Sequence, residues 1–126
     1  MSKPTIVLVH GAWADASSWN AVAAELHSQD FTVLSPPNLL RGVETDAAYI
    51  SSFVAQRTTG PVVLVGHSYG GFVITNAALG GGDVKALVYV DAFVPDEGET
   101  VFQILGGSGS ALAVPDPTTV LSLIHI

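Results

Sequence analysis

Val62-Val63-Leu64-Val65-Gly66-His67-Ser68-Tyr69-Gly70-Gly71 is the stretch on which the reading of this chain turns. Its first four residues are apolar, three of them β-branched, with no alternation of polar and apolar positions. That is the pattern of a strand covered on both faces inside a parallel sheet. The run breaks into G-x-S-x-G, and Phe72 to Leu79 behind it predicts a helix ended by Gly80, Gly81 and Gly82. A serine at a sharp strand-to-helix turn is held in strained dihedrals, so small residues are needed two before and two after it. Gly66 and Gly70 meet that need, and Gly71 adds room. The turn raises the Ser68 hydroxyl above the carboxyl edge of the sheet. The next helix then points its first amides and positive dipole end at any oxyanion formed there. The bland alternative is a glycine-rich turn with an incidental serine.

Outward from this turn the chain keeps one rhythm. Thr5 to Val9 (TIVLV) repeats the buried-strand pattern and ends at His10-Gly11. From Ser17 or Ser18 to about Ser28, Trp19, Val22, Ala23 and Leu26 recur at helical spacing, with hydroxyls available as N-caps. Phe31 to Leu34 is a short strand stopped by Pro36 and Pro37, which remove ladder donors and force a loop to about Gly42. Thr45 to Gln56 sets Ala47, Ile50, Phe53 and Val54 on one stripe, a second helix closed by Gly60-Pro61. Val84 to Val90 is a fourth strand, ending at Asp91. Strands alternating with helices predict the α/β class: an open, mainly parallel sheet with right-handed crossovers and helices on both faces. After Asp91 the rhythm stops. Pro95 to Gly98 reads as a turn, Thr100 with Gln103 as a capping box, and Gly106 to Ser110 as a flexible stretch.

Composition narrows the function. The 126 residues suit one domain. Four Lys+Arg against eleven Asp+Glu give a net charge of −7, which disfavours nucleic acid and anionic lipid as partners. Hydrophobic residues make up 48% and charged residues 12%, so disorder is excluded. Without cysteine there is no disulfide framework, thiolate nucleophile or Cys-based zinc site. His10, His67 and the acidic residues show no metal-ligand spacing, and neither phosphate-binding glycine motif occurs, so no metal and no cofactor is expected. No run approaches the roughly 18 apolar residues of a membrane span. The start lacks a secretory leader pattern, and a cytoplasmic location is expected.

His10-Gly11-Ala12-Trp13 follows the first strand. If that strand neighbours the one before Ser68, its loop opens beside the hydroxyl. Ala12 then offers a second oxyanion N–H, with Tyr69 supplying the first. His10 reads either as a general base or as a satisfied, loop-shaping histidine. Trp13 and Trp19 read as packing or pocket wall, His67 as pointing away from Ser68, and His27 as solvated.

VLVHGAW (7–13), VGHSYGG (65–71) and LVYVDAFVPDEGE (87–99) together resemble the α/β-hydrolase fold superfamily. The likeness is to small cytosolic esterases related to plant methyl-ester esterases and hydroxynitrile lyases, and it covers about Thr5 to Glu99. It implies a serine hydrolase acting on small apolar carboxylic esters. Ser68 would be the nucleophile, the Tyr69 and Ala12 amides the oxyanion hole, and a histidine oriented by a carboxylate the proton carrier. The alternatives are a lyase of the same fold and a non-enzymatic protein that holds a small ligand on a hydrolase scaffold. The family places nucleophile, acid and histidine in that chain order. Downstream of Ser68 stand Asp83, Asp91, Asp96, Glu97, Glu99 and Asp116, with His125 as the only histidine. Asp91 sits where a minority of the superfamily carries the acid, and a loop-capping aspartate is the other reading.

Leu121 to Ile126 (LSLIHI) resembles the translated end of a transposon used in preparing sequencing libraries. The expectation is that residues 1–120 are the N-terminal part of a single domain and 121–126 a non-native tail. On that expectation the strand order is second, first, third, fourth, the strand 84–90 is an exposed edge prone to association, and the chain alone turns over little or no ester.

Overall fold

Every residue of Ile6 to Val9 is buried, although successive side chains of a strand point to opposite faces. The reason is visible in the computed structural model, which describes residues 3–92, 94 and 95. In chain order the elements are β1 (Thr5–Val9), a 3₁₀ turn (Ala16–Trp19), α1 (Asn20–Ser28), β2 (Val33–Leu34), α2 (Val43–Arg57), β3 (Pro61–His67), α3 (Gly70–Ala77) and β4 (Asp83–Val90). The strands form one parallel sheet in the order β2-β1-β3-β4. Val7 and Val9 face α2 and α3, joining Ile50, Val54, Val62, Leu64, Val73 and Ile74. Ile6 and Leu8 face the other way, against Trp19 and Val65, with Ala23 and Leu26 of α1 packed beside them. The strand order and the two-sided cover are those expected from the sequence.

Boundaries differ for local reasons. Neither Ser17 nor Ser18 caps α1, which starts from Trp19 without a side-chain cap; the cap is Asp15 on the preceding 3₁₀ turn, whose carboxylate accepts from the Ser17 amide at 2.9 Å and from the Ser17 hydroxyl. Of the expected stripe, Trp19, Ala23 and Leu26 face the core at i, i+4 and i+7, while Val22 of α1 is exposed. β2 begins at Val33 rather than Phe31 because Phe31 belongs to the end of α1. Its amide donates to Leu26 O at 3.1 Å and the Asp30 amide to His27 O at 3.0 Å, with Asp30 left-handed at φ 66°. This is a Schellman cap with aspartate in the glycine position. The helix expected over 45–56 starts at Val43, and the one expected over 72–79 starts at Gly70.

β4 is an edge among the described residues. A register shift opposite Val62 and Val63 leaves Lys85 as an extra residue, so Val84, Leu87 and Tyr89 face the core while Ala86, Val88 and Val90 are exposed. Tyr89 is pinned to α3 by a 2.6 Å hydrogen bond between its hydroxyl and Thr75 Oγ1. The turn, capping box and glycine-rich stretch expected beyond Pro95, and the tail, lie outside the described residues.

Candidate active site

Ser68 stands between the last residue of β3 and the first turn of α3 with φ 55°, a left-handed conformation that costs a non-glycine residue about 1–2 kcal/mol. Long-range packing holds it there. A Cβ on Gly66 would lie 2.6 Å from Gly70 O, and one on Gly70 only 2.4 Å from Val9 O. Glycine is therefore required at both positions for the turn to close and for α3 to sit against β1. The first turn of α3 tightens through bonds from the Gly71 amide to Ser68 O and from the Phe72 amide to Tyr69 O, each 3.0 Å.

The loop after β1 lies directly against this turn: a Cβ on Gly11 would stand 3.1 Å from both Ser68 Cβ and His67 O. Ala12, next in the chain, is half-buried. His10 is buried with both ring nitrogens in use. Nδ1 donates to Gly11 O at 2.7 Å, which leaves Nε2 to accept from the Asn38 amide at 2.8 Å. Asn38 returns a side-chain bond to His10 O at 3.0 Å, stapling the loops after β1 and β2 together. His10 is thus the loop-shaping residue, with no lone pair free for a general base. His67 packs edge-on against the Trp19 ring at 6.2 Å, on the α1 side of the sheet. His27 is exposed on α1. The tryptophans divide: Trp19 is in the core and Trp13 is 46% exposed beside Ala12.

Asp91 follows directly on Val90, the register partner of His67, and is exposed with φ 41°. Among the described residues no hydrogen bond or ion pair joins it to a histidine, and no imidazole is bonded to Ser68. Nor do any three His, Asp or Glu side chains gather there to hold a metal ion.

Apolar periodicity had no means of finding Asp46. It is fully buried on the first turn of α2, where its carboxylate accepts from the Tyr69 hydroxyl at 2.7 Å and from the Arg41 amide at 3.0 Å. The acidic first turn Glu44 and Asp46 marks a helix start, but nothing local shows that Asp46 turns inward. Burial, reinforced by this carboxylate, holds the Tyr69 phenol well above its ordinary range.

A parallel α/β sheet with a strained serine turn at its carboxyl edge defines a recognised class, and the chain belongs to the alpha/beta hydrolase family, whose pattern matches residues 6–123. Among curated relatives, it is 35% identical over 111 residues to the carbendazim hydrolyzing esterase of Nocardioides sp. (strain SG-4G), covering 79% of this chain and 46% of that protein. To lipase LipV of Mycobacterium tuberculosis (strain ATCC 25618 / H37Rv) it is 29% identical over 126 residues, covering 91% and 46%. Among solved structures, it superposes with TM-score 0.71 and 31% identity on an extracellular alpha/beta-hydrolase from a Paenibacillus species, covering 80% of this chain and 46% of that one. That hydrolase is described as sharing structural and functional homology with Tobacco Salicylic Acid Binding Protein 2. The fold is also that of a pyrethroid hydrolase from Sphingobium faniae JZ-2, with TM-score 0.70, 24% identity and coverage of 81% and 45%. The chain spans about half the length of the curated relatives it matches. Among the described residues no helix is long and apolar enough to cross a membrane.

Proposed function

We propose that this chain carries the nucleophile half of a serine-dependent hydrolase of small apolar carboxylic esters. The observation that carries the reading is Ser68 held at φ 55° between Gly66 and Gly70, with the Gly11 loop seated against it. In this reading Ser68 Oγ attacks the ester carbonyl, and the Tyr69 and Ala12 amides donate to the oxyanion that forms. The bond to the alkoxy oxygen then breaks, and the proton from Oγ leaves on the alcohol. Water next attacks the acyl-serine, releasing the acid and restoring Oγ–H. The proton carrier is a histidine outside the described residues, since both nitrogens of His10 are occupied and His67 packs on Trp19. Asp91, at the end of the strand beside β3, is the candidate acid within the described part. Relatives named esterase and lipase support ester chemistry.

The test uses the protein expressed from its complete reading frame. A fluorophosphonate is expected to label Ser68 stoichiometrically, and p-nitrophenyl acetate to be hydrolysed. Ser68→Ala is expected to abolish both. Turnover that survives Ser68→Ala would place the nucleophile elsewhere, and a folded protein that binds a small ester without ever hydrolysing it would replace this reading with that of a ligand-binding scaffold.

A further inference from the structure

Asp46 is a carboxylate with none of its surface exposed, in a part of the fold that the proposed chemistry does not use. Burying such a group is costly unless donors surround it. Here three do: the Tyr69 hydroxyl at 2.7 Å, the Arg41 amide at 3.0 Å and the Gly42 amide at 3.4 Å. Two of these donors belong to the chain just before α2, whose N-terminal end also favours negative charge. The third belongs to the residue that follows Ser68. The Tyr69 ring is further held by stacking on Phe72, with centroids 6.2 Å apart and planes at 27°. The Tyr69 side chain is therefore fixed along its length, by Phe72 at the ring and by Asp46 at the hydroxyl. The peptide between Ser68 and Tyr69 is held at its carbonyl by the Gly71 amide at 3.0 Å, and the Tyr69 Cα that carries its N–H cannot shift without loading the contacts of the ring and the hydroxyl.

We infer that Asp46 is a positioning residue, which aims the Tyr69 N–H at the oxyanion by anchoring the Tyr69 hydroxyl to the entrance of α2. The inference rests on the reading of Ser68 and Tyr69 given above. Asp46 touches no reacting atom and acts only through the phenol. That phenol keeps its proton, and so its role as donor, because burial and the carboxylate both oppose ionisation.

The experiment uses the protein from its complete reading frame and phenylboronic acid, which forms a tetrahedral adduct on a reactive serine with one oxygen in the oxyanion position. Adduct affinity is read by ¹¹B NMR titration, alongside kcat and KM for p-nitrophenyl acetate and the melting temperature. Deleting an oxyanion donor outright costs about 10²–10³ in kcat, so loosening one is expected to cost about tenfold. Asp46→Asn and Tyr69→Phe should each weaken the adduct by about that factor and lower kcat in step, with KM unchanged. The double variant should be no worse than the poorer single, because both break one tether. Tyr69→Phe removes a single oxygen and keeps the ring on Phe72, so it carries the test if Asp46→Asn does not fold. Variants that melt lower but bind phenylboronic acid as tightly as the wild type overturn the inference, as do additive losses in the double variant. A wild-type protein with no Ser68-dependent adduct sinks the reading of Ser68 itself, and this inference with it.

Discussion

Gly70→Ala tests whether the serine turn is imposed by packing against β1. The added methyl carbon would stand 2.4 Å from Val9 O, 3.2 Å from His10 O and 3.3 Å from Val9 C, whereas ordinary contact begins at 3.4 Å. All three neighbours are backbone, so no side chain can swing aside. Either β1 leaves its register with β3 or the first turn of α3 retreats by about 1.0 Å, the shortfall between 3.4 and 2.4 Å. The second course lifts Val73, Ile74 and Ala77 off a core in which each is at most 2% exposed. Overpacking of this kind costs about 1–3 kcal/mol, and with backbone on both sides the upper end applies. Alanine's better helix propensity returns about 0.5–1 kcal/mol, leaving a net loss of about 2–2.5 kcal/mol. For a chain of this length that is a fall in melting temperature of about 10 °C. Gly60→Ala is the control, since nothing lies within 4 Å of its added Cβ. Circular-dichroism melts of the two variants side by side decide the matter. If Gly70→Ala unfolds together with Gly60→Ala, the close approach of α3 to β1 does not govern the turn.

Ser68→Gly should raise stability while removing the hydroxyl. The left-handed conformation costs serine about 1–2 kcal/mol, and a more flexible unfolded chain takes back about 0.4–1, so a gain of about 0.5–1 kcal/mol is expected by urea denaturation. A loss would show that Ser68 is unstrained. The Tyr69 phenol, raised by burial and Asp46, should titrate above the ordinary value of about 10 in an ultraviolet difference titration. A folded-state pKa above the unfolded one means that its contribution to stability is complete below about pH 10 and fades as pH rises through the folded value. Tyr69→Phe should therefore flatten the alkaline end of the stability profile, and an unchanged profile would count against the Asp46 bond. Val88 and Val90, exposed on a face of β4 that nothing covers among the described residues, should promote association, and Val88→Lys should lower light scattering at high concentration. Equal scattering from both proteins would mean that this face is not the contact.

What the sequence made legible follows from how each signal is encoded. β1 and the first half of β3 were plain because residues covered on both sides must all be apolar, and Ile6 to Val9 are. The serine turn was legible because G-x-S-x-G is contiguous in sequence, although only Gly66 answers to the bend itself while Gly70 makes room for Val9 of β1. Phe31 misled because a residue capping a helix and one opening a strand carry the same apolar signature; only the bond to Leu26 O separates them. His10 kept two readings because its deciding partner, Asn38, lies 28 residues away. Asp46 was invisible for a related reason. Its donors come from the preceding loop and from Tyr69, and hydrophobic periodicity counts a charged residue as facing water.

The contact between Gly70 and Val9 also has a consequence in time. It joins segments that meet only after β1 has paired with β3, as when Thr5 reaches Val62, with the intervening β2 and α2 looped out. Parallel pairing across such a span is slow, because the loop must close before any contact rewards it. Until then Ser68 is an ordinary serine on a flexible chain, free to relax out of its left-handed turn. If Ser68 is the nucleophile proposed above, a nascent or misfolded copy would present an unarmed hydroxyl, and a probe that reads Ser68 reactivity during refolding would report the closing of the sheet itself.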